Sequence, residues 1–342
     1  MSRGYFNFIP SNTVYAESEK IWWVDLIKTD CFWYDMIINP PNDINTNNII
    51  RSYLKSVEKH FNEHCEKRFI YFLGARKKVR FSTNKKARYS LFKKELTLYL
   101  LVGREERKYK IKYSFYKVTS NGKYKITPKV RVTEKYLYIK YESENIAVLS
   151  DHDFLKDNYI DLKINTEIHY VGYTHQPHKR PVDLIHRGLS KMLYNVSNDD
   201  NDFFVYFSIF NPRAISHNDD YNVSFNISNS LMNEIEVDKE GRVIENCFIR
   251  YFDTKIQDDD KESKRSDLNN MFTDLVKKKR IKSIAVNLQY ESSNEYFCFY
   301  SRSVVPQNDH FFVIDFVDEK INLDRNKDLA VHMQLIMDNS SY

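Results

Sequence analysis

A long alternation of apolar and basic side chains in the first half of the chain constrains the fold more than any other sequence feature. Side chains of a β-strand point alternately to opposite faces of a sheet, so this period of two predicts strands with one apolar and one basic face. Three runs carry the alternation: residues 109–115, 124–132 and 136–141. Asn121-Gly122, between the first two runs, is a turn typical of a β-hairpin. We therefore expect an antiparallel sheet within residues 69–149.

Other stretches keep the three- and four-residue spacing of amphipathic helices. These predicted helices are residues 47–67, 238–253 and 266–276. Short apolar runs predict further strands at residues 203–210, 284–290, 296–300 and 311–316. Helices and strands that occupy separate stretches of the chain predict an α+β protein.

The sequence also suggests how the chain is divided. Residues 21–24 and 32–34 form an aromatic cluster, which we interpret as a small N-terminal core rather than a ligand cage. Residues 150–157 are acidic and turn-prone, which predicts a boundary. We expect a helix and antiparallel-sheet module over residues 1–150, followed by a second domain over residues 151–342.

Composition narrows the class of protein. The four cysteines are far apart with no CxxC spacing, so neither a zinc site nor a disulfide framework is indicated. There is no signal-peptide core and no apolar run of about 18 residues, so we expect a cytoplasmic protein without membrane contact. The many Asn, Lys and Ile residues suggest a bacterial source. The formal net charge of +5 permits nucleic-acid binding without requiring it.

One stretch carries most of the functional information. Residues 159–164 and 167–171 predict two strands of a hairpin, and an apolar period from Val182 through Ile185 to Leu189 predicts a basic helix that follows. Gly172 at the strand end lets backbone approach a ligand closely, and Arg180 matches phosphate oxygens in a bidentate way. This pattern is typical of a turn that holds a phosphodiester.

These residues resemble the signature of the GIY-YIG nucleases. Tyr170-Val171-Gly172, Thr174 and Arg180 are similar to the second half of that signature. The first half is a Gly-Ile-Tyr whose tyrosine lies eleven residues before the second tyrosine. Tyr159 stands at that offset, preceded by Asp157 and Asn158. The resemblance covers about 100 residues and implies a small sheet flanked by helices, followed here by extra C-terminal strands.

A second motif lies about 65 residues beyond Arg180. Glu245, at the edge of an apolar helical stripe, is followed by a pattern similar to the family's metal-binding helix, which ends in phenylalanine. A carboxylate at an apolar margin is costly unless it is paired or bound to metal. The family has an asparagine beyond this helix, and Gln257 is the nearest match by position.

The resemblance implies roles residue by residue. Tyr170, with Tyr159 as its partner, orients or deprotonates the attacking water. Arg180 stabilises charge on the phosphoryl group, and Glu245 holds one Mg²⁺ or Mn²⁺. His186 acts as general base or holds the phosphate, or else is a structural helix histidine.

Substrate binding is expected from Gly172, Thr174, Lys179, Arg187 and Lys191, with the alternative that the cations of this helix form a solvated basic face. The predicted function is a metal-dependent DNA endonuclease with a role in restriction or antiviral defence. Two alternatives are a non-catalytic nucleic-acid-binding descendant of the nuclease and a protein-interaction or sensor module. The N-terminal module would recognise target or protein partner, and its alternating lysines and tyrosines are either a nucleic-acid surface or the wet face of a half-buried sheet.

Overall fold

The computed structural model describes residues 2–41, 44–90, 92–120, 122–141, 146–183, 186–258, 265–290, 293–317 and 320–325. The side chains of residues 265–268 and 317 also lie outside the described part. Asn121 of the predicted hairpin turn and Ile185 of the predicted basic helix therefore lie outside the described residues. Every helix in the described ranges is too short or too polar to cross a bilayer.

The α-helices alternate with long stretches of strand. They are α1 (Thr13–Glu17), α2 (Asp35–Ile38), α3 (Thr46–His64), α4 (Asp151–Asp157), α5 (Arg187–Asn195), α6 (Asn229–Met232), α7 (Val237–Phe252) and α8 (Arg265–Lys279). The strands that build the largest sheet are β1 (Lys20–Trp33), β2 (Phe69–Lys77), β12 (Thr166–Thr174), β13 (Asn201–Asn218), β14 (Val223–Ser228), β15 (Ile281–Leu288), β16 (Phe299–Tyr300), β17 (His310–Val317) and β18 (Lys320–Asp324). The predicted α+β class is confirmed.

The large sheet has the order β16-β12-β2-β13-β1-β15-β17-β18, with β14 paired to β13. Alternate residues of its strands point to opposite layers, as the two-residue period of a strand requires. Tyr71 and Leu73 of β2 pack with α3 and α5, whereas Ile70 and Phe72 pack on the side of α7. The sheet is therefore covered on both faces around β2.

The predicted boundary at residue 150 does not divide this sheet. Strands β1 and β2 come from the first half of the chain, yet they pair with β12, β13 and β15 from the second half. The aromatic cluster belongs to β1 except for its last residue, Tyr34, which immediately precedes α2, and its indoles are buried. Residues 1–150 are therefore not an independent module.

Residues 78–165, here called the insert, lie between the adjacent strands β2 and β12. The insert contains α4 and three small sheets built from β3 (Val79–Phe81), β4 (Arg88–Tyr89), β5 (Leu96–Val102), β6 (Arg107–Tyr113), β7 (Phe115–Thr119), β8 (Gly122–Ile126), β9 (Lys129–Val132), β10 (Tyr136–Lys140) and β11 (Ile146–Ser150). The antiparallel pairing predicted for residues 69–149 is present here, because β5–β6, β7–β8 and β9–β10 all pair antiparallel.

Buried charge joins the insert to the sheet. Asp202 of β13 accepts two hydrogen bonds from the Arg80 guanidinium, at 2.8 Å each, and one from the backbone N–H of Val79 at 3.0 Å. The Nε2 atom of His152 in α4 lies 2.8 Å from the same carboxylate. Although burial opposes it, His152 and Arg80 hold the pKa of Asp202 below its ordinary value.

Candidate functional site

Two tyrosines lie together where β2 and β12 pair. The strands are antiparallel, with Tyr71 opposite Gly172 and Tyr170 opposite Leu73. The two rings are stacked, with centroids 6.1 Å apart and planes inclined by 20°. Tyr71 is fully buried and Tyr170 is 8% exposed. The pair places two phenols on the face that α5 covers.

Two glycines make room for these rings. A Cβ atom on Gly172 would lie 2.3 Å from the ring and hydroxyl of Tyr71, and one on Gly188 would lie 2.7 Å from the ring of Tyr170. Any side chain at either position would displace a tyrosine. Gly172, expected to contact substrate, therefore lies beneath Tyr71 and serves the tyrosine pair.

His186 connects this pair to α5. Its Nδ1 accepts a hydrogen bond from the backbone N–H of Leu189 and thereby caps the helix. Burial, with the Arg180 charge acting in the same direction, lowers its pKa to about 4, so the ring is neutral at pH 7. Since Nδ1 is an acceptor, Nε2 carries the proton and donates to the Tyr71 hydroxyl, 2.9 Å away. With this tautomer His186 positions Tyr71 and caps α5, which is the structural role among the alternatives given for it in the sequence analysis.

Arg180 lies in a turn rather than in the predicted helix, because α5 begins only at Arg187, after the His186 cap. The turn is anchored by Arg51, which donates to the His178 carbonyl at 2.9 Å and pairs with Asp183 at 2.9 Å. Arg180 itself is exposed. It is therefore the member of the site that solvent reaches most easily.

The charge of Arg180 reaches the tyrosine pair. Burial raises the pKa of Tyr71 well above its ordinary value; Tyr170 and Glu245 act in the same direction, and Arg180 opposes them. Tyr170, Arg180 and Glu245 therefore all lie within electrostatic range of one hydroxyl group. Of these three predicted site residues, Tyr170 contacts Tyr71 directly, whereas Arg180 and Glu245 act on it through charge.

Glu245 belongs to α7, which packs on the face of the sheet opposite α5. It lies one helical turn after Gly241, whose surroundings are Arg68 and the ring of Tyr173. Arg242 donates a hydrogen bond to the Tyr173 hydroxyl at 3.0 Å, and this bond raises the pKa of Arg242. The Glu245 carboxylate contributes to the same increase by a smaller amount. Glu245 is 8% exposed, so its carboxylate lies at a buried margin, as expected from its place on the apolar stripe.

Gln257 is fully buried and binds the backbone of β12. Its amide nitrogen donates to the Val171 carbonyl at 2.8 Å, and its amide oxygen accepts from the Val171 N–H at 2.9 Å. Thr254 also donates to that oxygen, at 3.1 Å. Gln257 thus fixes the strand between Tyr170 and Gly172 and does not face a ligand.

The other predicted substrate-binding residues have separate surroundings. Thr174 is buried and accepts a hydrogen bond from the Gln176 N–H at 3.0 Å, which closes the turn after β12. Lys191 donates to the Ile256 carbonyl at 3.4 Å and ties α5 to the segment of Gln257. Lys179 and Arg187 are exposed. Of the predicted cations, Lys191 is therefore tied to the backbone, whereas Lys179 and Arg187 are accessible to a substrate.

Tyr159 is not part of this site, and the hairpin predicted for residues 159–171 is wrong. Tyr159 is 66% exposed, with φ of +52°, and lines a cavity of about 210 Å³ beside Asn294. The backbone N–H groups of Leu162 and Ile164 donate to the Glu295 carboxylate at 2.7 and 3.1 Å. Because a side chain takes these donors, the segment does not form a strand.

Tyr71 is the site residue that the sequence analysis missed. Its signal was present, since Phe69-Ile70-Tyr71 matches two of the three residues of the Gly-Ile-Tyr half of the resembled signature. The expected spacing of eleven residues excluded it, because Tyr71 precedes Tyr170 by 99 positions. The insert accounts for the difference.

Comparison of the chain with models of protein families, with curated proteins and with solved structures finds no match.

Proposed function

We propose that the chain is a metal-dependent nuclease of the GIY-YIG type, in which Phe69-Ile70-Tyr71 replaces the expected first half of the signature. The observation that carries the proposal is the stacked pair of Tyr71 and Tyr170, with Arg180 and Glu245 within electrostatic range of it. The two signature tyrosines lie on adjacent antiparallel strands. An arginine turn and a glutamate helix then follow in the signature's order.

The proposed roles follow burial and charge. The exposed guanidinium of Arg180 binds a phosphate of the substrate and stabilises charge that develops on it. The Tyr170 hydroxyl orients the attacking water. Tyr71 is fully buried, so it acts by holding Tyr170, while the bond from His186 fixes Tyr71 itself.

Glu245 is the candidate metal ligand. Among the described residues, no group of three or more His, Cys, Asp or Glu side chains is placed to hold a metal ion. One carboxylate nevertheless fits Mg²⁺, which is commonly held by one or two carboxylates together with water and substrate phosphates. When bound, the ion would polarise the phosphate and the leaving oxygen.

Cleavage of supercoiled plasmid in Mg²⁺ or Mn²⁺ tests the proposal. We expect cleavage by the wild type, a loss of roughly 100-fold or more in Arg180→Ala and Glu245→Gln, and no cleavage in EDTA. Tyr159→Phe is the matched control for Tyr71→Phe, since both remove one phenol oxygen, and only the Tyr71 variant should lose activity. Full activity of Glu245→Gln, or a wild type that does not cleave, would reject the nuclease assignment.

One observation favours a second candidate function, a non-catalytic nucleic-acid-binding protein. Tyr170 and Glu245 are each only 8% exposed, which leaves Arg180 as the principal group that a phosphate can reach. Binding of DNA that depends on Arg180, without cleavage in either metal, would support this candidate.

A further inference from the structure

Charge is distributed very unevenly along the chain. Residues 78–140, here called the basic segment, contain nineteen Lys and Arg residues and four acidic residues, a net charge of +15. The whole chain carries +5, so the remaining residues carry −10. The basic segment lies entirely within the insert, which therefore differs in charge from the sheet that holds the candidate site. A strongly basic surface on an otherwise acidic protein attracts a polyanion.

One face of the β9-β10-β11 sheet carries an ordered set of side chains. Residues opposite one another in paired strands point to the same face. One row contains Arg131, Tyr138 and Val148, and the next contains Lys129, Lys140 and Ile146. The opposite face of β10 carries Leu137 and Ile139, which are buried in the core. The six-residue face borders a groove of about 510 Å³, here called the insert groove.

The chemistry of the insert groove is that of a single-strand binding surface. The Arg131 guanidinium lies 4.1 Å from the centroid of the Tyr138 ring, so the two groups form a cation–π pair against which a base can stack. Lys129 and Lys140 are exposed beside it and can meet phosphates. Strands β9, β10 and β11 contain no acidic residue.

The neighbouring hairpin β7–β8 repeats this combination. Tyr116 and Tyr124 are 46% and 47% exposed. The Lys123 ammonium lies 4.3 Å from the Tyr116 ring centroid, and Lys117 lies opposite Tyr124. Aromatic rings next to cations thus recur along the basic segment. The solvent-exposed face of an ordinary half-buried sheet needs polar or charged side chains but no such rings.

We propose that the insert groove binds a single-stranded segment of nucleic acid, with bases stacked on Tyr138 and Arg131 and phosphates paired with Lys129 and Lys140. Unpaired bases expose the faces that such rings require, whereas duplex bases are stacked on one another. This binding needs no cleavage and no metal, so it stands apart from the activity proposed for the tyrosine pair.

Fluorescence anisotropy of full-length protein with a labelled 20-nucleotide oligo-dT in EDTA tests the inference. The charge variant Lys129→Glu/Lys140→Glu is matched by Lys55→Glu/Lys277→Glu, which makes the same charge change on helices α3 and α8. We expect the first variant to bind at least tenfold more weakly than its match. Its plot of log affinity against log salt should also be shallower by about 1.4, at about 0.7 per lost phosphate contact.

Tyr138→Ala separates stacking from charge. It should weaken binding roughly 5- to 150-fold while leaving the salt dependence unchanged. Equal affinities of the two charge variants, or wild-type affinity of Tyr138→Ala, would overturn the inference. So would preference for a 20-base-pair duplex over the single strand. Because binding of oligo-dT is measured in EDTA, where no cleavage is expected, it can succeed or fail independently of the proposed nuclease activity.

Discussion

The candidate site and the insert use the same types of residue in opposite ways. Around Tyr71 the rings are buried, two glycines are fitted beneath them, and the neighbouring histidine is held neutral. In the insert groove and the β7–β8 hairpin, rings stand at the surface next to exposed cations. The comparison shows that a tyrosine beside a basic side chain does not by itself define a function. Burial determines whether a ring positions its neighbours or meets a ligand.

The insert joins the sheet at Asp202, and removing this carboxylate should have the largest effect. Asp202→Ala leaves the buried Arg80 guanidinium without its bidentate partner and removes the acceptor for Val79. We expect a loss of about 3–5 kcal/mol in the free energy of unfolding, measured by urea denaturation. Asp199→Ala, on an exposed side chain, should change it by less than about 0.5 kcal/mol. A loss below about 1 kcal/mol in Asp202→Ala would contradict the view that a buried ion pair joins the insert to the sheet.

Acid should weaken the site through His186. Its pKa is 6.5 when unperturbed and about 4 in the folded protein, so between these values only the unfolded chain takes up the proton. Stability from this group is complete above pH 6.5 and is lost as pH falls towards 4. At about 1.4 kcal/mol per pH unit, the loss is about 3 kcal/mol. Denaturant titrations of wild type and His186→Asn at pH 7, 5.5 and 4.5 measure this loss. The free energy of unfolding should change less with pH in the variant. Parallel pH profiles of the two proteins would refute the buried neutral ring.

Gly172→Ala tests the close fit of the tyrosine pair. The new methyl group would meet the Tyr71 ring at 2.3 Å, so we expect a loss of about 1–3 kcal/mol in stability from overpacking. Tyr71→Leu removes the ring atoms that clash, so Gly172→Ala should cost less in that background. The double-mutant cycle should give a coupling of about 1 kcal/mol or more, and additivity would show that the two residues do not interact.

His186→Ala and His186→Asn divide the two contacts of this residue. Asparagine is a favoured N-cap and retains the bond to Leu189, but it is too short to reach Tyr71; alanine loses both bonds. We expect His186→Ala to be about 1 kcal/mol less stable than His186→Asn at pH 7.5, by thermal denaturation followed with circular dichroism. Both variants should lower the rate of plasmid cleavage more than they change KM, because both release Tyr71.

Local periodicity predicted the helices well and failed where partners are distant. The stripe through Cys247 and Phe248 was sufficient to predict α7, and the spacing of Ile50 and Leu54 predicted α3. The pairing of β2 with β12 joins residues about 100 positions apart, which no local pattern contains. The boundary near residue 150 was therefore placed at a segment that forms helix α4 rather than a turn and that is not a domain limit.

Strand β13 illustrates the same restriction. It was predicted to end at residue 210, before Asn211-Pro212, yet the strand continues to Asn218. Proline is tolerated because β13 changes partner there: Ile209 is the last residue paired with β2, and Arg213 is the first paired with β14. A sequence read in isolation cannot reveal such a gap in the hydrogen-bonding ladder.

The candidate site was predicted in part for the same reason. Tyr170, Arg180 and Glu245 lie within segments whose local order the signature describes, so the sequence alone was sufficient to nominate them. Tyr71 was missed because its place depends on the tertiary pairing of β2. Tyr159 was chosen by spacing alone, although its segment gives its backbone donors to Glu295.

The Gln257 amide also affects how protein molecules associate with one another in solution. On one side, β12 pairs with β16, but only through Thr166 and Glu167. The rest of this outer edge of β12 has no neighbouring strand among the described residues. An open edge invites strand addition by a second chain. By occupying both backbone groups of Val171, Gln257 blocks such growth at the middle of the edge. The same amide that holds the tyrosine strand in register therefore also protects the protein against aggregation.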